Sequence, residues 1–490
     1  MPGRMEFNLS LSRGQVAPRR TGGPMRLLVM ADFSGLPPGQ RPALAQRPTH
    51  RVDFDNLDAV LARLAPRLTL PAGELVFASL EDFHPDQLVA RLEVFRSLRE
   101  LRRRLLDPTT FSQAAAALLQ TEASVDAAKP GAAGPGPDDG LLAQLLGGGA
   151  AAAWQNPAGN PSKAAVPSGT GIDAFIRAVV APHIVPAIAP QQASYLASVD
   201  TAIAEQMRAV LHAPAFQAME SAWRGVQWLI SSLELDDDLQ LHLFDVGRDE
   251  LLADVVAAQG QIESTGVYRA LVDRLRNQPG ADGWTALLGL YAFGPSDTDI
   301  GLLAALGVLA SQAGGPLLAG GSTALAGDDS PALAGWQALR RSEVARWIGL
   351  AAPRVLLRRP YGKASDPIER FPFEEWVATP DHEQFLWGNG ALACTLLIGR
   401  AFSAKGWDFE PGDEREIRDL PAFTCLVDGA PELQACAERY LGEQGGNALL
   451  AAGLMPVMSH RHANAVTVMR FQSVAVPAAG LAGLTERAES

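Results

Sequence analysis

The chain has 490 residues, 47% of them hydrophobic and 19% charged, with a formal net charge of −13 and an isoelectric point near 5.2. The length allows two to four domains with packed cores, and the acidic balance argues against a general nucleic-acid or membrane-surface binder, since both of those partners are polyanions. Three cysteines, Cys394, Cys425 and Cys436, are too few and too irregular for a disulfide framework and suit a reducing compartment as small buried thiols; with no run of about 18 apolar residues and no signal-peptide core, the expected location is the cytoplasm.

Residues 5–12 alternate apolar and polar side chains, which places Phe7, Leu9 and Leu11 on one face of a strand. A lone strand is not stable, so this one is expected to join a sheet built elsewhere, including one on another subunit. A proline- and glycine-containing connector follows. Residues 26–30 read as a buried strand. Residues 56–64 read as a helix with Leu57, Val60, Leu61 and Leu64 on one face and Asp55 as its cap. Residues 75–80 form a second predicted strand. Pro85 then opens a longer helix whose buried stripe is Leu88, Leu92, Phe95 and Leu98. Four arginines between 99 and 104 suit the negative end of its dipole.

From 127 to 170 the composition turns to Ala, Gly, Pro and Ser, too poor in large apolar groups to offset the entropy of ordering, and reads as a flexible linker. One island interrupts it: Asp138 and Asp139 precede Leu141, Leu142, Leu145 and Leu146, the pattern of a short amphipathic helix. Two strong helices come next. The first carries Leu196, Val199, Ile203, Met207 and Val210, the second Phe216, Met219, Trp223, Val226 and Ile230. Strands are predicted at 239–246, 284–291 and 316–319, with a helix at 299–313 between the last two. This alternation implies an α/β core. Residues 350–430 read as irregular segments around a helix at 384–402. The remainder holds a predicted helix at 432–441 and strands at 453–460 and 466–474. No internal repeat is present.

Catalytic patterns are incomplete. His382-Glu383 opens a zinc-protease motif, but the second histidine, four places on, is replaced by Leu386. His460 and His462 read either as two imidazoles on one strand face or, better, as polar ends of a solvent-facing strand. The glycine-rich run from Gly314 to Ser322 lacks the lysine that binds phosphate and reads as a strand-to-loop connection. No nucleophile elbow exists, and no basic cluster adjoins the cysteines. No catalytic, cofactor-binding or metal residue is therefore expected. Core packing suffices for Trp223 and Trp387. Arg224, Arg346 and Arg354 are expected to pair with Glu220, Glu343 or more distant carboxylates.

Four segments carry a family resemblance: Glu220-Ser-Ala-Trp-Arg-Gly225, Ser342-Glu-Val-Ala-Arg-Trp-Ile-Gly-Leu350, Pro353-Arg-Val-Leu-Leu-Arg-Arg-Pro-Tyr-Gly362 and Asp381-His-Glu-Gln-Phe-Leu-Trp-Gly-Asn-Gly-Ala391. In this order they resemble the large sheath subunit (TssC, or VipB) of the bacterial type VI secretion system. Leu27-Leu-Val-Met-Ala-Asp-Phe-Ser-Gly35, Val52-Asp-Phe-Asp-Asn-Leu57 and Ser79-Leu-Glu-Asp-Phe83 resemble its small partner (TssB, or VipA). The chain is thus similar to a natural fusion of the two.

The resemblance implies an α/β (α+β mixed), phage-tail-sheath-like architecture: a small-subunit-like α/β unit at 1–125, a linker at 126–170 and a large-subunit-like part at 171–490. It implies a structural polymer without cofactor or enzymatic activity, which surrounds an inner tube of Hcp and ejects it on contraction. The implied partners are itself, other sheath subunits, Hcp, baseplate components and the ClpV ATPase, with no nucleic acid and no membrane insertion. In the family that ATPase engages an N-terminal helix of the large subunit. Leu141, Leu142, Leu145 and Leu146 fall at that place, ordinary internal packing being the other reading. A typical large subunit continues beyond the segment matching 463–474, with strands that interlock neighbouring subunits. Ending at Ser490, this chain is expected to lack them. The alternative reading is a specialised adaptor or terminating subunit that does not polymerise alone.

Overall fold

The computed structural model describes residues 22–126, 192–276, 283–327, 333–376, 382–427 and 430–484. They fall into two compact units: one runs to Leu88 and resumes at Arg208, and the other spans Val89–Met207.

The first unit is built on a nine-stranded sheet. Its strands, in chain order, are β1 (Met25–Ala31), β2 (His50–Val52), β5 (Leu239–Asp245), β6 (Ala286–Phe293), β7 (Leu317–Gly321), β8 (Ile348–Ala352), β11 (Glu416–Ile417), β14 (Leu454–Ser459) and β15 (Val466–Val468). Short two-stranded pairs account for β3 (Arg67–Leu70) with β4 (Gly73–Val76), β9 (Val355–Leu356) with β10 (Trp387–Gly388), and β12 (Thr424–Val427) with β13 (Ala430–Leu433). Across the large sheet the order is β11-β15-β14-β8-β7-β6-β1-β5-β2. The run from β14 to β5 is parallel, and the antiparallel pairings sit at the margins, β2 on β5 and β15 between β14 and β11.

Strand β1 lies inside this sheet, parallel to β5 on one side and β6 on the other. Its sequence explains the position. Met25 and the five residues from Leu27 to Ala31 are all buried, a continuous apolar run that fits a strand covered on both faces rather than an edge. Helix Asp297–Ala313 shares one apolar core with Leu28 and Met30, and helix Ala391–Lys405 packs on β6, β7 and β8. Both helices are apolar nearly all round, as buried helices are. The mixed α/β architecture agrees with the sequence reading.

The second unit holds helices Glu93–Leu106 and Phe111–Asp126 and most of Gln192–Leu211. Arg102 meets Asp200 at 2.5 Å, one arginine of the basic run thereby tying two helices together. Phe111 meets Tyr195 edge-on, with ring centroids 6.1 Å apart.

Several local expectations are corrected. Asp55 does not cap helix Leu57–Leu64: Asn56 holds the cap position without a side-chain bond, and the carboxylate of Asp53 instead accepts from the amides of Asp55 and Asn56. The strand expected at 75–80 ends at Val76, and Ser79 with Asp82 forms a capping box on a 3-10 turn at Leu80–Phe83. The helix opening at Pro85 ends at Arg91, and a second begins at Glu93 because Leu92 is extended. The helix expected at 384–402 begins only at Ala391, after β10. No helix occupies 432–441. There β13 pairs with β12, Ala437 bridges Val355, and the amide of Cys436 donates to Ser459 Oγ, so long-range partners override the local period. A helix forms instead at Glu443–Ala451, and the strand expected at 466–474 stops at Val468.

Candidate functional site

Phe7, Leu9 and Leu11, and likewise Leu141, Leu142, Leu145 and Leu146, lie outside the described residues. What the fold does place together are the two sets of sheath-like motifs. The loop after β1 is held by the carboxylate at the end of β5. Asp245 accepts from the amides of Phe33 (2.8 Å) and Ser34 (3.0 Å), and from the Ser34 hydroxyl (2.6 Å). From helix Pro214–Ser232, Trp223 donates its indole N–H to the carbonyl of Phe33 at 3.0 Å and packs edge-on against that ring. Gly35 closes the loop at φ +63°, where a Cβ would fall 2.2 Å from the Arg67 carbonyl oxygen, so only glycine fits.

Two arginines from the segment between β1 and β2 complete this junction. Arg41 pairs with Asp32, with Asp245 (3.6 Å) and with Glu250 (3.2 Å). Arg47 pairs with Glu250 at 2.7 Å and donates to the carbonyl of Asp245 at 2.6 Å. Both guanidinium groups are almost fully buried. Burial alone would raise the Glu250 carboxyl, but the hydrogen bonds and charge of Arg47, with those of Arg41, hold it below its ordinary range. Sequence reasoning missed Arg41 and Arg47. They sit in a proline-containing stretch without periodicity, and the sole signal was two arginines near the apolar Leu44.

A second buried cluster joins the large-subunit-like motifs to one another. Glu220 and Arg224 pair at 2.6 Å, as the sequence reading expected. Arg358 bridges Glu220 (2.9 Å) and Glu375 (2.8 Å), and Arg224 also donates to the Tyr361 hydroxyl. His212 reaches Glu375 at 3.2 Å, and the Tyr361 amide donates to the same carboxylate at 2.7 Å. Burial would raise Glu375, yet the Arg358 charge and the hydrogen bonds from His212, Arg358 and Tyr361 hold it at about 2. Each carboxylate here faces a guanidinium, an arrangement that fixes elements in place.

Near the surface, Arg354 binds both oxygens of Glu438, at 2.8 and 2.9 Å, and lies 3.4 Å from Glu383. His382 Nε2 is 3.1 Å from Glu438, and the potential ligand atoms of His382, Glu383 and Glu438 lie within 4.8 Å of one another. The guanidinium of Arg354 already supplies the cation among these carboxylates, while Leu386 is buried in the core. Trp387 is buried as expected and donates to the His382 carbonyl. His460 and His462 lie in the turn between β14 and β15, not on a strand face, and His460 meets Thr467 Oγ1 at 2.8 Å. Cys394 and Cys436 are buried thiols, and burial pushes Cys394 up to about 12. Among the described residues no helix is long and apolar enough to cross a membrane.

Comparison with known proteins places this geometry. The family described as "EvpB/VC_A0108, tail sheath N-terminal domain" (VipB) matches residues 193–475. The family described as "Type VI secretion system, VipA, VC_A0107 or Hcp2" matches residues 15–120. The type VI secretion system sheath protein TssC1 of Pseudomonas aeruginosa is 29% identical over 308 residues, which cover 58% of this chain and 61% of that protein. The sheath protein TssB1 of the same organism is 30% identical over 99 residues, covering 18% of this chain and 58% of that protein. The chain thus spans about three fifths of the length of each of these relatives. It belongs to the EvpB/VC_A0108 tail sheath family and carries, in one polypeptide, a VipA-type segment followed by a VipB-type segment.

Proposed function

We propose that this chain is a non-catalytic subunit of a type VI contractile sheath in the bacterial cytoplasm, with small and large subunit roles fused at a linker spanning 126–170. The observation that carries this reading is the position of β1. A strand from the VipA-type segment sits between two strands of the VipB-type segment, so the two halves form one sheet and cannot act as separate modules. The sheath surrounds an Hcp tube, contacts the baseplate at its end, and drives the tube outward on contraction. Energy for that step resides in contacts between subunits, which requires rigid subunits, and the buried ion-pair clusters lock the parts of the sheet unit together. Residues Phe7, Leu9 and Leu11 supply the strand that joins a neighbour's sheet edge. Deleting residues 1–12 is expected to abolish co-sedimentation with other sheath subunits while leaving the melting temperature nearly unchanged. Undiminished co-sedimentation of the deletion variant would remove the joining role from this strand.

A further inference from the structure

Phe54 stands 82% exposed at the tip of the turn after β2, the outermost strand on one side of the sheet. A single exposed apolar residue is ordinary on a protein surface. This one is held out by a hydrogen-bonded turn. The Asp53 amide donates to Asn56 Oδ1, Asp53 Oδ1 accepts from the amides of Asp55 and Asn56, and the Asn56 side chain donates to Asp53 Oδ2 and the Arg51 carbonyl. These bonds fix the backbone on both sides of Phe54, so the turn that carries the ring has little backbone entropy left to lose on binding. Asp55 and Asp58, both exposed and without an ion-pair partner among the described residues, give its surroundings a negative charge.

The other side of the sheet offers the complement. A cavity of about 420 Å³ lies beside the start of β14, between the end of helix Glu443–Ala451 and the segment after β15. Leu450, Ala475 and Val476 give it apolar walls, and Val476 is itself 42% exposed. Its charged lining is basic only. Arg340, 7% exposed, donates to the backbone carbonyls of Val474 and Ala451 and has no carboxylate partner among the described residues. Arg470 is exposed and has none either. The volume is ample for one aromatic ring, since a cavity of about 150 Å³ holds benzene.

We propose that Phe54 of one copy of this chain seats in the Leu450–Val476 cavity of a second copy, with Asp55 meeting Arg470. The contact rests on the sheath reading and gives it a geometry. Knob and cavity are both at the end of the sheet where the parallel strands begin, and six strand spacings, roughly 29 Å, separate β2 from β14. A contact between two different surfaces of one subunit is heterologous, and its repetition builds rings or open helices rather than closed dimers. A ring or open helix of this kind is what the sheath reading calls for.

Sedimentation velocity of the full chain over a concentration series tests this. Phe54→Ser is expected to weaken self-association at least about thirtyfold. Asp55→Arg and Arg470→Glu are each expected to weaken it several-fold, and the double variant Asp55→Arg/Arg470→Glu to recover most of the loss. All three side chains are exposed, so an unchanged melting temperature separates lost contact from lost fold. Self-association untouched by Phe54→Ser, or a double variant no better than the single ones, would overturn the proposal. An unmodified chain that stays monomeric yet co-assembles with separate sheath subunits would overturn this contact and leave the sheath reading standing. A chain that does neither would overturn both.

Discussion

At the scale of single residues, charge in the buried clusters is answered by charge. Glu375 shows what that costs and contributes. Its carboxyl is held at about 2, against an ordinary value near 4.5, with burial opposing the shift and Arg358, His212 and the Tyr361 amide producing it. A carboxylate whose folded value is depressed contributes stability fully present above the unfolded value and lost as pH falls through the folded one. The contribution is about 3 kcal/mol at neutral pH and should disappear between about pH 4.5 and 2. Glu375→Gln leaves Arg358 buried with half its partners and is expected to cost about 3 kcal/mol or more at pH 7. Denaturant unfolding followed from pH 7 to pH 2 should show the two proteins converging on acidification. Parallel curves would assign the acid sensitivity to other groups.

The elements most legible in the sequence were those that bury a continuous or strictly periodic apolar face. Residues 26–30, 239–246 and 284–291 became β1, β5 and β6, and the stripe from Phe216 to Ile230 became one face of a buried helix. What failed was set by distant partners. Residues 348–352 (Ile-Gly-Leu-Ala-Ala) are a short run with no polar residue to set an alternation, and became β8 because β7 and β14 pair on both sides. The junction arginines were illegible for the same reason, since Glu250, the carboxylate that both of them share, lies some 200 positions away in the chain. The place of β1 leads to a prediction at this scale. It buries six apolar side chains at 3% exposure or less, worth on the order of 10 kcal/mol, and it pairs on both edges. A protease site inserted between 127 and 191, once cut, should therefore leave two fragments that co-elute at about 1 μM. Separate elution would show that the covalent connection, not the sheet, holds the halves together.

For the whole molecule, the two halves matched by the VipA and VipB families are one folded object where their strands meet. A sheath built from such a chain has small and large roles in fixed one-to-one proportion at every lattice position, without a separate encounter between subunits. Contraction would then have to act between copies, at surfaces such as the β2 turn, and not across the β1–β5–β6 junction. Electron cryomicroscopy of the purified chain, alone and mixed with separate sheath subunits, tests this most directly. The expected map is a ring or helical tube wall in which each position holds one continuous chain, with β1 between β5 and β6 of the same polypeptide. Single particles in both preparations, or a wall in which β1 comes from a different chain, would contradict the account.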